Sequence, residues 1–242
     1  MSALLSVNGL KKSFGAVKVA DDSSFEIAAG DAVGILGPNG AGKTSLFNLI
    51  TGALSPDAGR ITFQGADITA TSAAKRCKMG IARSFQVPQP FGGMTVYENA
   101  LVGAMQGAGL SGHDAENHAL QVLTDTGLLP KANLRAGALT LLDRKRLEMA
   151  RALSAQPKLL LLDEIAGGLT EAECTALIDT IKAVHAKGTT IIWIEHVVHA
   201  LLAVVDRLIV IDFGKKIAEG APKAIMDSPE VKEIYLGVDP DV

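Results

Sequence analysis

A chain of 242 residues, 48% apolar and 20% charged, holds ample material for a packed core and fits one large domain or one domain carrying an insertion. Its 23 basic and 26 acidic side chains give a formal charge of −3, which removes the electrostatic footprint expected of a nucleic-acid binder.

The chain opens with MSALLSVNGLKKSFG, where charges follow a very short apolar stretch, so the sequence reads as having no signal peptide. Residues 4–27 are strand-like, with turns at Gly9 and Gly30. Residues 32–36 read as a buried strand that ends in GPNGAGKT and passes into an apolar helix through Thr51. Residues 60–69, turning at Gly65, complete an expected antiparallel sheet beside the core. From about 92 to 155 the periodicity becomes helical, clearest over 96–105 and 115–126. That stretch reads as a helical subdomain inserted into a core made of 1–91 and 156–242, with 103–112 as a flexible glycine-rich connection. Residues 159–162 and 189–194 are two further buried strands flanking a helix at about 171–186. A strand at 208–211 then turns through Asp212-Phe213-Gly214 into 216–218. No kinase catalytic loop precedes that Asp-Phe-Gly, so it is read as a hairpin turn. Alternation of this kind predicts an α/β fold: a P-loop core with a mostly parallel central sheet, an antiparallel β subdomain and an inserted helical subdomain. The apolar runs at 159–162 and 191–194 are far too short to span a bilayer, so any membrane link is expected to run through a partner. Cys77 and Cys174 lie in no metal or redox spacing and read as free thiols of a reducing cytoplasm.

Gly37-Pro38-Asn39-Gly40-Ala41-Gly42-Lys43-Thr44, followed by Ser45, fits G-x-x-x-x-G-K-[ST] between a predicted strand and a predicted helix. A triphosphate carries dense negative charge, so the loop must turn several backbone N–H groups inward, and glycines permit the angles. Lys43 supplies a point charge to the β and γ phosphates, and Thr44 a hydroxyl to Mg2+. The expected ligand is therefore ATP with Mg2+. A second signal is Leu159-Leu160-Leu161-Leu162-Asp163-Glu164, a buried strand ending in paired carboxylates. Asp163 is placed to hold Mg2+, directly or through water, and Glu164 to deprotonate the water that attacks the γ phosphate. Taken alone such a run is also how a strand cap looks; beside a P-loop it reads as catalytic.

Together these motifs resemble, in order and spacing and over essentially the whole chain, the ATP-binding subunits of ABC transporters. The resemblance implies roles for residues that composition leaves mute. Phe14, which alone would be a core aromatic, matches the position that stacks on adenine. Gln86, in Ser84-Phe85-Gln86, matches the glutamine that reaches Mg2+ and the attacking water and relays to the membrane domain. His196 matches the switch histidine at the γ phosphate, although His196 and His199 with Glu195 also have a metal-like spacing lacking a third ligand. Within the superfamily, RSFQVPQPFGGMTVYENALVG, KRLEMARAL, WIEHVVHALLAVVDRLIVIDFGKKIAEGAP and the tail SPEVKEIYLG are similar to the branched-chain amino-acid uptake ATPases. That likeness implies an importer motor on the inner membrane face, working with transmembrane permease subunits, a second ATPase subunit (identical or different) and, indirectly, an external solute-binding protein. Residues 88–94 would form part of the groove receiving the permease's cytoplasmic helix.

The signature helix departs from the family. LTLLDRKRLEMARAL aligns with it, but Thr140, Leu141, Leu142 and Asp143 stand where Ser-Gly-Gly-Gln is usual. In the family this helix end faces the γ phosphate of the opposite subunit, so Leu142 is expected to obstruct the approach and Asp143 to add repulsive charge. Ile165 replaces a proline, and Thr170-Glu171 an Asp-Pro or Asn-Pro. The parts that act on the chain's own nucleotide are intact and the parts offered to a partner are altered, which fits pairing with a different ATPase subunit. A regulatory module that binds ATP and turns over slowly is the alternative. Calorimetry with Mg-ATP should show saturable binding by the purified chain and its loss in Lys43→Ala; undiminished affinity in that variant would remove the cradle reading.

Overall fold

The computed structural model describes residues 3–236; residues 1, 2 and 237–242, including Gly237 of the tail, lie outside the described residues. The chain runs through β1 (Leu5–Phe14), β2 (Val17–Ile27), β3 (Ala32–Leu36), α1 (Lys43–Thr51), β4 (Ala58–Phe63), β5 (Ala66–Asp67), α2 (Ala73–Met79) and β6 (Ile81–Arg83). Three helices follow, α3 (Val96–Val102), α4 (Gly112–Asp125) and α5 (Leu141–Ser154). The core then resumes with β7 (Leu159–Asp163), α6 (Glu171–Ala186), β8 (Thr190–Ile194), α7 (Val198–Leu202), β9 (Arg207–Asp212), β10 (Lys215–Gly220), α8 (Pro222–Asp227) and α9 (Pro229–Leu236).

Strands β2-β1-β4-β5 form an antiparallel sheet, and β10-β9-β3-β8-β7-β6 a second sheet in which only the edge strand β10 runs against its neighbour. Continuous apolar runs make the central strands because both faces of this sheet are covered. Leu159 and Leu161 of β7, with Ile192 and Ile194 of β8, pack with α1 and the antiparallel sheet. Leu160, Leu162, Ile191 and Trp193 point the other way, onto α6 and the C-terminal half of α5. The period of two divides one run of leucines between two cores.

Parallel pairing has a functional consequence. The carboxyl ends of β3, β6, β7 and β8 all open on one edge of the sheet, so the loop 37–42, Ser84-Phe85-Gln86, Asp163-Glu164 and Glu195-His196 meet there. The strand order sets β3 and β7 on either side of β8, one strand apart.

The helical segment has its own core, in which Val96 and Ala100 of α3, Val122 and Leu123 of α4, and Leu147 and Ala150 of α5 meet. Helix α5 belongs to both bodies: its Met149 and Ala152 pack into the sheet's core instead. The expected flexible connection at 103–112 is corrected. Gly103–Gly107 is a π-helical turn continuing α3, pressed against α5. A Cβ on Gly107 would lie 2.4 Å from the Cβ of Ala155, and one on Gly103 would lie 2.6 Å from the carbonyl oxygen of Arg151. These glycines serve close approach of two helices, a use that sequence spacing does not distinguish from a linker. Only the stretch after Gly107, up to the start of α4, remains a loop. The Asp212-Phe213-Gly214 segment is the β9–β10 hairpin turn. Gly107→Val should force α5 and the π turn apart at a cost of about 1–3 kcal/mol. A thermal melt should show a drop of several degrees, whereas an unchanged midpoint would mean that the packing there is loose.

Candidate functional site

The loop after β3 is shaped by where it must pass. Gly42 has φ 101°, and a Cβ there would sit 2.2 Å from the carbonyl oxygen of Val19, so only glycine fits against β2. Helix α1 begins at the next residue with no side-chain cap, leaving its first N–H groups turned toward the loop. Lys43, 5% exposed, donates from Nζ to the carbonyl oxygens of Gly37 at 2.6 Å and Pro38 at 2.9 Å. Burial holds its pKa below the ordinary lysine value, and the carboxylates of Glu164 and Asp163 pull it back up. Pro38 and Ala41 belong to the loop wall, Asn39, Gly40 and Thr44 lie at the open rim, and Ser45 is half-buried behind it. Phe14, 54% exposed at the β1–β2 turn, carries Lys12 Nζ 5.5 Å above its ring.

Opposite the loop, β7 delivers Asp163 and Glu164. Asp163 is buried; its Oδ2 is paired with the guanidinium of Arg83, whereas Oδ1 has no hydrogen-bond partner among the described residues. Burial drives the Asp163 pKa upward, and the Arg83 hydrogen bond and charge offset part of that rise. Glu164 follows with φ 47°, a left-handed backbone that is costly outside glycine and typical of positions held for function. Its N–H donates to the carbonyl of Ile194 at 2.8 Å, which fixes the turn against β8. This turn aims the side chain at two partners. Gln86 Nε2 donates to Glu164 Oε2 at 2.5 Å, and His196 Nε2 stands 2.8 Å from Glu164 Oε1. Two residues more than a hundred positions apart in sequence, Gln86 and His196, therefore share one carboxylate.

The altered signature segment has an unexpected arrangement. Thr140 caps α5, its Oγ1 accepting from the N–H of Asp143 at 3.4 Å. Asp143 does not project its charge outward as expected. It is 4% exposed, accepts from Thr140 Oγ1 at 2.9 Å and is ion-paired with Lys131. An acid in the first turn of a helix is drawn to the N-terminal dipole and to a nearby cation, so the carboxylate turns inward. Leu142 likewise packs toward the sheet's core, which leaves Thr140 and Leu141, the latter 44% exposed, at the surface. Thr170, which stands where an acid or asparagine was expected, forms a capping box with Glu173 at the start of α6.

The profile of the ABC transporter family matches residues 20–167. This chain belongs to that family. A second profile, of the branched-chain amino acid ATP-binding cassette transporters, matches residues 215–241. The chain is 36% identical to the high-affinity branched-chain amino acid transport ATP-binding protein LivG of Escherichia coli K12, across 97% of this chain and 98% of that one. It is 34% identical to the lipopolysaccharide export system ATP-binding protein LptB of Acidithiobacillus ferridurans, across 98% of each. The solved ADP conformation of an ATP-binding cassette from an ABC transporter superposes with a TM-score of 0.87 at 34% identity, covering 98% of this chain and all of that one. The fold is thus that of the ABC ATPases, and the chain is an ABC ATP-binding subunit whose ATPase activity is coupled to transport.

Other polar groups hold the site together in roles that the sequence did not signal, Glu195 having stood out only beside His196 and His199 as a metal-like grouping. Glu195, 1% exposed, accepts from the N–H groups of Ala166 and His196 at 2.9 Å and of Val197 at 3.3 Å, and so ties the loop after Glu164 to the one bearing His196. Lys145 of α5 is buried on the stripe between Leu142 and Met149, with the Glu195 and Glu164 carboxylates raising its pKa against a larger depression from burial. Arg83 was equally silent: a single basic residue at a strand end announces nothing until β6 and β7 are paired. A cavity of about 600 Å³ opens between α2, the π turn and α5, and Phe85 and Phe91 are among its lining residues. Arg151 lies 4.7 Å below the Phe91 ring and donates to the Gln89 carbonyl at 2.8 Å, clamping that wall to α5.

Proposed function

We propose that the chain is the motor of an importer for branched-chain or other hydrophobic amino acids, or related small organic solutes. The carboxylate of Glu164 held between Gln86 and His196, across from a buried P-loop lysine, carries the catalytic part of this reading. The solute class rests on the likeness to LivG and on the match of residues 215–241 to the branched-chain cassette family, a segment that catalysis does not use. Likeness to LptB shows that whole-chain identity alone does not separate the two directions of transport.

Glu164 takes a proton from water as its oxygen bonds to the γ phosphorus; the bond to the bridging oxygen breaks and its electron pair departs on ADP. Lys43 and the α1 N-terminus meet the phosphate charge, His196 steadies the γ phosphate, and Gln86 orients the water. Phe14 takes the adenine face. The donor set suits Mg2+: Asp163 Oδ1 is buried without a partner among the described residues, Thr44 lies at the rim, and Gln86 reaches the same carboxylate cluster. Bound there, Mg2+ would neutralise charge on the β and γ oxygens.

No helix among the described residues is long and apolar enough to cross a membrane. The permease would reach the chain through the cavity, whose apolar wall includes Phe85 and, from the 88–94 segment, Phe91. A second, different ATPase subunit would cap this chain's nucleotide, because Thr140, Leu141, Leu142 and Asp143 offer a poor cap in return: Leu141 occupies the surface and the Asp143 carboxylate already occupies the helix end. The solute-binding protein would act through the permease alone.

Replacing Glu164 by Gln should leave ATP binding intact and lower turnover about 10²-fold or more. Hydrolysis at the wild-type rate would sink the base assignment. The lone chain should hydrolyse slowly at any concentration and accelerate with its partner subunit; strong concentration-dependent activity of the chain alone would contradict the unlike pair.

A further inference from the structure

Arg83 ends β6, just ahead of Ser84-Phe85-Gln86, and its side chain is only 7% exposed. Its guanidinium is held on several sides. One nitrogen pairs with Asp163 Oδ2, and Nη1 donates to Asn48 Oδ1 of α1 at 2.6 Å. The plane lies 5.5 Å from the Phe47 ring and 5.0 Å from that of Phe85. A planar fork fixed in this way leaves its partner little freedom. A carboxylate with one oxygen pinned has one direction left for the other, and Asp163 Oδ1 is buried without a hydrogen-bond partner among the described residues. Phe85, 51% exposed, braces the guanidinium from the outside and lines the same cavity as Arg83 itself.

We infer that Arg83 is a positioning residue for the metal carboxylate: it aims Asp163 Oδ1 into the Mg2+ site, and Phe85 in the cavity wall holds it in that pose. The assignment rests on Asp163 serving Mg2+. Residues that orient a ligand set its metal affinity without touching the metal. Arg83 would therefore govern how much free Mg2+ the nucleotide complex needs, while leaving the phosphate cradle alone. It would also make the cavity wall continuous with the metal site through one side chain, separately from Gln86.

The test is ATP binding by the isolated chain, followed by fluorescence of a labelled nucleotide, in EDTA and over a series of free Mg2+ concentrations. Asp163→Asn and Arg83→Met should each raise the half-saturating Mg2+ by about tenfold, and Phe85→Ala by about threefold, with affinity in EDTA unchanged to within about twofold. Combining Asp163→Asn with Arg83→Met should add nothing to either alone. Arg83→Lys, whose ammonium cannot reach Asp163 and Asn48 as a fork, should fall between wild type and Arg83→Met; it decides the matter if the methionine variant does not fold. Wild-type Mg2+ dependence in both Arg83 variants, equal losses with and without Mg2+, or losses that multiply in the double variant would overturn the inference. An Asp163→Asn protein with unchanged Mg2+ dependence would instead overturn the metal reading on which it rests.

Discussion

Two adjacent carboxylates at the end of a strand buried on both faces set the terms for this structure. Leu159 to Leu162 carry Asp163 into a place where water is scarce, with the part-exposed Glu164 at its edge, and burial there favours protonation of Asp163. Ionised groups survive in such a place only with partners brought from elsewhere. Arg83 comes from β6, Lys43 from the first residue of α1 after the β3 loop, and His196 from the loop after β8. Each arrives because parallel pairing puts the ends of those strands on one edge. The left-handed backbone of Glu164 is part of the same solution, turning the second carboxylate toward Gln86 and His196.

Helix α5 is the element that makes the two bodies answer to each other. Its faces are divided between them, Leu147 and Ala150 in the helical core and Met149 and Ala152 in the sheet's core. Its first turn carries the altered signature and its last turn meets the π turn at Ala155. Between these, Glu148 is buried with its pKa raised by that burial, and it accepts from Arg151 at 3.2 Å and from the Gln89 N–H at 3.3 Å. The wall of the cavity is therefore fastened to the same helix that would meet a second ATPase subunit. A displacement of α5 cannot leave the segment after Gln86 untouched.

The altered signature is better understood as a rearranged helix end than as a charged obstacle. Thr140 retains the capping hydroxyl, and Asp143 satisfies the helix dipole from within, neutralised by Lys131. What reaches the surface beside the exposed Thr140 is an aliphatic side chain, Leu141, next to Gly168 of the loop that follows Glu164. A helix end whose dipole is already met by its own carboxylate has less to offer an external phosphate.

Several features were legible from residue order alone. The P-loop declared itself because phosphate binding needs glycines and a lysine at fixed spacing, and the leucine run declared a strand buried on both faces. The antiparallel sheet, the helical stretch and the Asp212-Phe213-Gly214 hairpin were likewise readable from local periodicity. Resemblance supplied Gln86, His196 and Phe14, which no local pattern distinguishes from loop or core residues. Tertiary structure decided the rest. Gly103 and Gly107 read as a linker because a close helix contact and a flexible joint call for the same residue, and only the position of Ala155 separates them. The inward turn of Asp143 depends on Lys131, twelve residues upstream, reaching the start of α5. Arg83 and Asp163 stand eighty positions apart and meet only because β6 pairs with β7. Local sequence carries backbone preference and side-chain chemistry; which distant charge stands beside which carboxylate is settled by strand order, and strand order belongs to the folded chain.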